Sequence, residues 1–512
     1  MHWAFEKQIK NRLQKMIPEN CTKARKKGKT ECMNIQTIPY TQEMLNLEKF
    51  RIEMYQKLGN GRDARMNLID AMCSMEGAKS VVEYSLAECY DRTHTTINYA
   101  IATMKLEEKW LAKRLVPYLP KPSSELPFWL LMVDVTPAPR PYAKTLEDRG
   151  MVYQPEVVKG KLPVTIGHQY STVTLGLEKE EGMTASWVLP LMNKRVETSA
   201  NKEEVGREQI DLLLSDDKLP FAKDLTVEVA DSSYSKPEYL HPHRKHKNLV
   251  SIVRVAGNRS LYHKHELSEE DEAAQKSKPG KKKVYGEKFS LLLPDTLGEP
   301  DDSYTYWETS RRGKLYRYVV RAWNDKLMPG KRLPKTLDMS QHPFTLVQII
   351  CYDEDGNRVC KNPLWLIVVG ERRGELTLKQ IVQAYAARFD IEHFFRFGKQ
   401  KLLMASFQTP IVEHEENWWQ LCHIAYAQLW MARQVAHSTP RPWERNLPDV
   451  KQNLISPTLV MRDFARIIRQ FGTPAKPPKP RGDAPGWVAG TSRTKRERQN
   501  VHVKSQTAAS SA

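Results

Sequence analysis

The sequence lacks several features that would assign it to a common class of protein. It has no uninterrupted apolar run of the ~18 residues that a membrane-spanning helix requires, so we expect no membrane partner. Its seven cysteines are scattered and form no C-x-x-C pair, which favours reduced thiols in the cytoplasm over a zinc site or a disulfide framework. The Walker loop, G-x-S-x-G and H-E-x-x-H motifs are also missing, so nucleotide hydrolysis, serine hydrolase and zinc peptidase chemistry have no support.

The sequence has an excess of positive charge. Lys+Arg 79 against Asp+Glu 61 gives a formal net charge of +18 over 512 residues, while the 40% apolar content is that of a globular protein. This charge is a physical argument for a polyanionic partner, and nucleic acid is the leading candidate. Both ends are basic: residues 1–40 are predicted to be an arm that either contacts phosphates or only increases solubility, and residues 474–512 a disordered tail.

Changes in composition divide the chain between these ends. Helical periodicity gives way to a Pro- and Ser-rich stretch and then to buried-strand patterns, which predicts a helical domain followed by an α/β domain with a mixed sheet flanked by helices. A region rich in Tyr, Trp, Val and Thr with Gly and Pro punctuation predicts an all-β insertion within the α/β domain. The predicted segments are a helical DNA-binding domain at 41–120, a catalytic domain in two parts at 126–257 and 353–436, a β-strand insertion at 258–352, and a C-terminal helical segment at 437–473.

Residues 84–104 have the spacing of a helix-turn-helix motif. A short predicted helix is followed by a tight turn near Asp91 and by a second helix. The second helix would carry Arg92, Thr95, Thr96 and Asn98 at or near its start, where base edges of DNA are reached. Any hairpin of two helices in a bundle gives a similar pattern.

Three acidic residues stand out by their position. Asp134 and Asp231 each follow a predicted buried strand, and Glu392 lies on a long helix predicted from Leu376 to about Leu403. A carboxylate at the end of a buried strand is costly unless it is paired or binds a cation, although Asp231 before two serines would also serve as a helix N-cap. If the three carboxylates converge, they can hold two Mg²⁺ ions, with Mn²⁺ as a substitute, since Mg²⁺ requires hard oxygen ligands.

The helix around Glu392 carries a charged stripe. At about 100° of turn per residue, one face holds Tyr385, Arg388, Glu392, Arg396 and Lys399. Such a stripe suits a metal ion held beside a phosphodiester. A solvated face of an ordinary amphipathic helix would give the same pattern.

Taken together, these residues resemble a known family. The order Asp…Asp…Glu with the signature Tyr-x2-Arg-x3-Glu-x6-Lys is similar to that of DDE transposases of bacterial insertion sequences, in the subgroup whose ribonuclease H-like domain is interrupted by a β insertion. The resemblance implies metal binding by the three acids and phosphate contacts by Tyr385, Arg388 and Lys399. It also implies an insertion aromatic that stacks on a flipped base, for which Trp307 is our candidate, with packing in the insertion's core as the alternative. Further residues near the motif strands that could line the site are Lys144, Lys161, His168, Arg254 and Arg259.

The resemblance implies a DNA transposase that cuts at terminal inverted repeats and joins the freed 3′-OH to target DNA. Its partners would be double-stranded DNA and a second copy of the chain in a synaptic complex, in the nucleoid of a bacterial cytoplasm. Two alternatives remain open: an inactive or domesticated relative that only binds DNA, and a structure-specific endonuclease of the same fold that cuts without joining.

Overall fold

The computed structural model describes residues 41–154, 163–178, 187–265, 284–310, 313–331, 337–438, 455–480 and 495–503. The predicted N-terminal arm, residues 1–40, and Lys161 lie outside these ranges.

The centre of the fold is a large mixed sheet. The strands are β1 (Trp129–Pro139), β2 (Gly150–Tyr153), β3 (Val164–Gly176), β4 (Val188–Val196), β5 (Thr226–Ala230), β6 (Leu249–Arg254), β7 (Leu261–Lys264), β8 (Tyr285–Phe289), β9 (Asp302–Thr309), β10 (Leu315–Lys326), β11 (Phe344–Tyr352) and β12 (Leu364–Val369). Among the described residues, ten of them form one sheet in the order β2-β3-β1-β5-β6-β12-β11-β10-β9, with β4 also paired to β3. Strands β1, β5 and β6 are parallel and β3 is antiparallel to β1, as expected of a ribonuclease H-like sheet, so the predicted fold class is confirmed.

Helices cover the sheet and form the N-terminal region. They are α1 (Gln42–Lys57), α2 (Arg62–Ser74), α3 (His94–Ala102), α4 (Trp110–Leu115), α5 (Lys202–Leu214), α6 (Pro237–His243), α7 (Leu378–Ala387), α8 (Phe389–Lys401), α9 (Val412–Ser438) and α10 (Pro457–Phe471). Helix α5 packs on β3 and β4, while α7 packs on β5 and β6. None of the helices in the described part of the chain is long and apolar enough to cross a membrane.

The predicted β insertion does not form a separate β domain. Its strands β9, β10 and β11 are antiparallel, but β11 pairs with β12, as in the register Leu346↔Ile367, and β12 pairs with β6. The insertion therefore extends the large mixed sheet, because one edge of β12 pairs with β6 and the other pairs with β11. Strands β7 and β8 pair only with each other in the sheet assignment of the described residues.

The N-terminal helices pack against helix α9, in the second half of the chain. Helices α1 and α2 contact α9, and a buried ion pair joins Arg51 to Asp70 at 3.0 Å. The same Asp70 accepts a hydrogen bond of 3.0 Å from Gln428 of α9. Residues 41–512 accordingly cluster as one compact unit, and the Pro- and Ser-rich stretch at 117–127 does not separate two bodies.

Three elements differ from their predicted form. The first element of the predicted helix-turn-helix is a 3-10 helix, Val81–Leu86, rather than an α-helix. The predicted long helix is two helices, α7 and α8, separated at Arg388. Part of the tail that we predicted to be disordered is docked, since the N–H groups of Gln499 and His502 donate to the carbonyl oxygens of Lys144 and Arg149 at 2.9 and 2.8 Å.

Candidate active site

Two of the predicted acids lie side by side because of the pairing between β1 and β5. These strands are parallel, and Met132 is in register with Val229. Asp134 and Asp231 each stand two residues further along, Asp134 within β1 and Asp231 just after β5, and the charge of Asp231 acts on Asp134. The sheet thus brings together the first two carboxylates predicted from the sequence.

The Asp134 side chain lies in a mostly buried position at this point of the sheet. It is 20% exposed, and its Oδ1 accepts a hydrogen bond of 2.7 Å from the N–H of Val135. Burial raises the pKa of Asp134 to about 6; the charge of Asp231 also raises it, while the nearby cations Arg388 and Lys202 lower it. A divalent cation would stabilise the ionised form of such a carboxylate.

Asp231 combines a capping role with an available carboxylate oxygen. It is the N-cap of the 3-10 helix Ser232–Tyr234, where its Oδ1 accepts from both the N–H and the Oγ of Ser233, at 2.7 and 2.6 Å. Both bonds end on Oδ1, and Oδ2 accepts none from the described residues. The capping role and a metal-binding role for Asp231 are therefore compatible.

Glu392 is linked to Asp134 through Arg388. The Arg388 guanidinium lies between them, with Nη1 3.8 Å from Asp134 Oδ2 and Nη2 3.5 Å from Glu392 Oε1. The Glu392 side chain is 48% exposed. In the described residues the ion pair of Glu392 is with Arg388, one turn before it, and not with Arg396, one turn after it. A DNA contact by Arg396 stays a prediction.

The donor set fits a hard divalent cation. Asp134, Asp231 and Glu392 offer carboxylate oxygens, with no thiol or imidazole among them, which is the ligand type that Mg²⁺ and Mn²⁺ prefer. As the side chains stand, no group of three His, Cys, Asp or Glu in the described ranges is close enough to hold a metal ion. Arg388 is the positive charge that lies between two of the three acids.

Two more residues of the predicted signature lie beside these acids. Lys399 of α8 donates a hydrogen bond of 2.6 Å from Nζ to Oγ1 of Thr136, two residues beyond Asp134 on β1. Burial lowers the pKa of Lys399 to about 8. Tyr385 is 4% exposed, and its ring centroid lies 5.8 Å from Cζ of Arg388, so the guanidinium lies over the tyrosine ring.

The comparison with known families agrees with this arrangement. A family model described as DDE superfamily endonuclease matches residues 53–325, more than half of the chain. The chain belongs to the DDE superfamily endonucleases. The match contains Asp134 and Asp231 and ends before Glu392. A search of curated proteins found no significant match.

In this DDE endonuclease Trp307 is on the surface rather than in a core. It lies on β9, is 53% exposed, and has Cζ of Arg317 at 5.8 Å from its ring. Strand β9 also lies beside α7, the helix that carries Tyr385. These observations exclude the alternative of core packing and leave base stacking as a prediction.

The predicted DNA-reading residues are arranged on and before α3. Thr95 and Asn98 are exposed, and Thr96 is half-buried. The Arg92 side chain is instead held within the protein, because its Nε donates to Asn67 Oδ1 at 2.7 Å and its Nη2 donates to the carbonyl oxygen of Lys476. Of this set, Thr95 and Asn98 are therefore the most accessible to DNA.

The endonuclease site also includes a cation that the sequence patterns did not indicate. Lys202, the first residue of α5, is close enough to Asp134 to lower its pKa, and its Nζ is 5.9 Å from the ring of Tyr234. The sequence pattern of residues 202–214 indicates a helix, but the place of Lys202 beside Asp134 depends on how α5 crosses the sheet. Arg254, named above as a possible lining residue, is likewise near Tyr385: burial raises the pKa of Tyr385, and the charges of Arg388 and Arg254 partly oppose that rise.

His168 does not belong to the site, contrary to our expectation. It is buried, and its ring nitrogens contact Glu415 Oε1 at 3.0 Å and the carbonyl oxygen of Glu147 at 2.9 Å. Both contacts are structural. Arg259 donates to Ser235, just after the 3-10 helix that Asp231 caps.

Proposed function

We propose that this DDE endonuclease is a cut-and-paste DNA transposase, which hydrolyses DNA at transposon ends and joins the freed 3′-OH to target DNA. The observation that carries the proposal is the register of β1 and β5, which sets Asp134 beside Asp231, with Glu392 linked to them through Arg388. It supports the proposal because the chemistry requires three carboxylates in one region of the structure.

In this proposal the three carboxylates bind divalent cations. Asp134, Asp231 and Glu392 would hold Mg²⁺, and two such ions supply activation of the attacking oxygen and stabilisation of the leaving oxygen. Lys399 and Arg388 would contact phosphates, the arginine through two parallel N–H donors and the lysine as a point charge.

Arg388 gives the site a way to respond to DNA. Its guanidinium now faces two carboxylates, and a DNA phosphate is an anion that can replace them as its partner. Movement of Arg388 toward a phosphate would free Glu392 and Asp134 to bind metal. DNA binding and metal binding would then favour each other.

The remaining parts of the proposal concern DNA ends and assembly. Helix α3, with Thr95 and Asn98 exposed, would read the terminal inverted repeats, and Trp307 would stack on an unpaired base beside the cut. Two ends must be held together for joining, so at least two copies of the chain would act in one complex.

An assay with labelled element ends, Mg²⁺ and a target plasmid tests the proposal. The DNA that flanks the coding region supplies the candidate ends. We expect cut and joined products from the wild-type chain and neither from Asp231→Asn, which keeps the Oδ1 acceptor for Ser233 but removes the charge. Asp224→Asn, just before the other end of β5, is the matched control and should retain activity.

The products separate the alternatives. Cleavage without joining would identify a structure-specific endonuclease, and binding without cleavage an inactive relative. Mg²⁺-dependent cleavage by Asp231→Asn equal to that of the wild type would refute the assignment of the site.

A further inference from the structure

The docked part of the C-terminal tail is held through its backbone. In addition to the two bonds donated by Gln499 and His502, Nη2 of Arg149 donates to the carbonyl oxygen of Gln499 at 3.4 Å. His502 also forms a parallel bridge with Gly150, the first residue of β2. Residues 495–503 thus lie along the loop between β1 and β2 and reach the open edge of β2.

This mode of docking leaves the side chains of the segment in solvent. In the described residues, peptide groups of the segment make these contacts, so its cationic side chains are not used in holding it. The exposed cations of the segment and of the loop under it are Lys495, Arg496, Arg498 and Lys144, and the exposed carboxylates there are Glu497 and Glu147. Tyr142 of the same loop is 91% exposed. The surface is therefore positive and carries an accessible aromatic ring.

Strand β1 connects this surface to the candidate active site. The strand carries Asp134, then Thr136 with its bond from Lys399, and ends at Pro139, where the loop begins. At about 3.3 Å per residue, Pro139 lies roughly 17 Å from Asp134. One DNA strand has a phosphate about every 3.4 Å, so this length corresponds to about five nucleotides.

We infer that residues 495–503, together with Lys144, form a phosphate-binding surface for duplex DNA that flanks the cleaved position. The inference rests on the proposed function, because it takes the nucleic acid at Asp134 as the ligand that continues over this surface. Docking fixes the cations in place beside the site, whereas a free tail would hold them at no defined position. Contacts to phosphates alone would be independent of base sequence.

The charge part of the inference is tested with the full-length chain and a fluorescein-labelled duplex of mixed sequence. Fluorescence anisotropy over a series of KCl concentrations gives the slope of log K against log salt. Each phosphate contact contributes about 0.9 to this slope, so K495A/R496A/R498A should reduce its magnitude by up to about 2.7 and weaken binding. The matched control K218A/K223A removes two exposed lysines near the opposite end of the sheet and should leave the slope unchanged.

The docking part is tested with a pair of variants that keep all three cations. Q499P/H502P removes the two N–H donors, whereas Q499A/H502A retains them and removes only the side chains. We expect Q499P/H502P to reduce the magnitude of the salt slope as K495A/R496A/R498A does. We expect Q499A/H502A to bind as the wild type. A proline variant with the wild-type slope would overturn the inference, because a free basic tail would then explain the binding.

The outcomes keep this inference apart from the proposed function. A wild-type chain that cuts and joins ends, with an unchanged slope in K495A/R496A/R498A, would refute the phosphate surface alone. Binding that depends on the segment, in a chain that never cuts DNA with Mg²⁺, would refute the transposase alone. Tighter binding by the triple variant would also overturn the inference.

Discussion

Replacing Arg388 with methionine should increase the affinity of the free protein for divalent cations. The guanidinium now lies 3.8 Å from Asp134 Oδ2 and 3.5 Å from Glu392 Oε1, so a metal ion must compete with it for both carboxylates. Methionine has a similar length and no charge. The variant removes the competitor while it keeps most of the packing against Tyr385.

The exposure of the two acids sets the size of the effect. Glu392 is 48% exposed, so its pair with Arg388 is screened and contributes about 0.5 kcal/mol. Asp134 is only 20% exposed, and its pair, at a distance without a hydrogen bond, contributes about 1.5 kcal/mol. Loss of both, about 2 kcal/mol, corresponds to about thirtyfold tighter metal binding.

Mn²⁺ binding, measured by the loss of its free EPR signal without DNA, is the direct assay. Arg396→Met is the matched control, since Arg396 lies on the same helix and makes no ion pair with Glu392 in the described residues. Equal or weaker Mn²⁺ binding by Arg388→Met would refute the reasoning. The same variant should cleave DNA poorly, because it has lost a phosphate contact.

Three further predictions concern other parts of the molecule. The charge of Lys399 is lost as pH rises through about 8, so duplex binding by the wild type should weaken across that pH. Binding by Lys399→Arg should not weaken there, because arginine stays charged. Identical pH profiles of the two proteins would contradict a phosphate contact by Lys399. Glu415→Gln breaks a buried ion pair with Arg140 at 2.7 Å and should lower the free energy of unfolding, measured in urea, by about 3–5 kcal/mol. Glu416 is the neighbouring residue and is 37% exposed, so Glu416→Gln should lower it by at most about 1 kcal/mol. Trp307→Ala should weaken binding to a duplex with an unpaired end by about 1–3 kcal/mol without changing the melting temperature, and Trp307→Phe should restore part of that loss; equal affinities would contradict stacking.

The features that the sequence predicted well are those with a local pattern. Strand β1 begins with the apolar run Trp129–Val133 and β5 is buried along its whole length, and such patterns mark strands buried on both faces. Helix α5, Lys202–Leu214, has an amphipathic period that indicates a helix from the sequence alone. The two aspartates could be selected for the same reason, since Asp134 directly follows the apolar run of β1 and Asp231 directly follows β5.

Features that depend on distant partners could not be predicted in this way. The pairing of Leu346 with Ile367, which makes the insertion part of the catalytic sheet, has no signature in either strand. The docking of residues 495–503 uses peptide N–H and C=O groups, which every non-proline residue has. The sequence of this segment therefore indicates only its basic composition and not its docking. The break between α7 and α8 falls at Arg388, and no glycine or proline at that position indicates a break in the sequence.

The continuity of the sheet has a consequence for the position of Trp307. Strand β9 is five steps from β5 in the strand order, and a twist of about 20–25° per step rotates it by more than 100° relative to β5. The last strand of the sheet lies beside α7. The position of Trp307 relative to β5 is thus set by hydrogen-bonded strand pairs rather than by flexible connections. Longer loops in the insertion would leave it unchanged, whereas the loss of one strand would turn it by about 20–25° and shift it by about 4.8 Å.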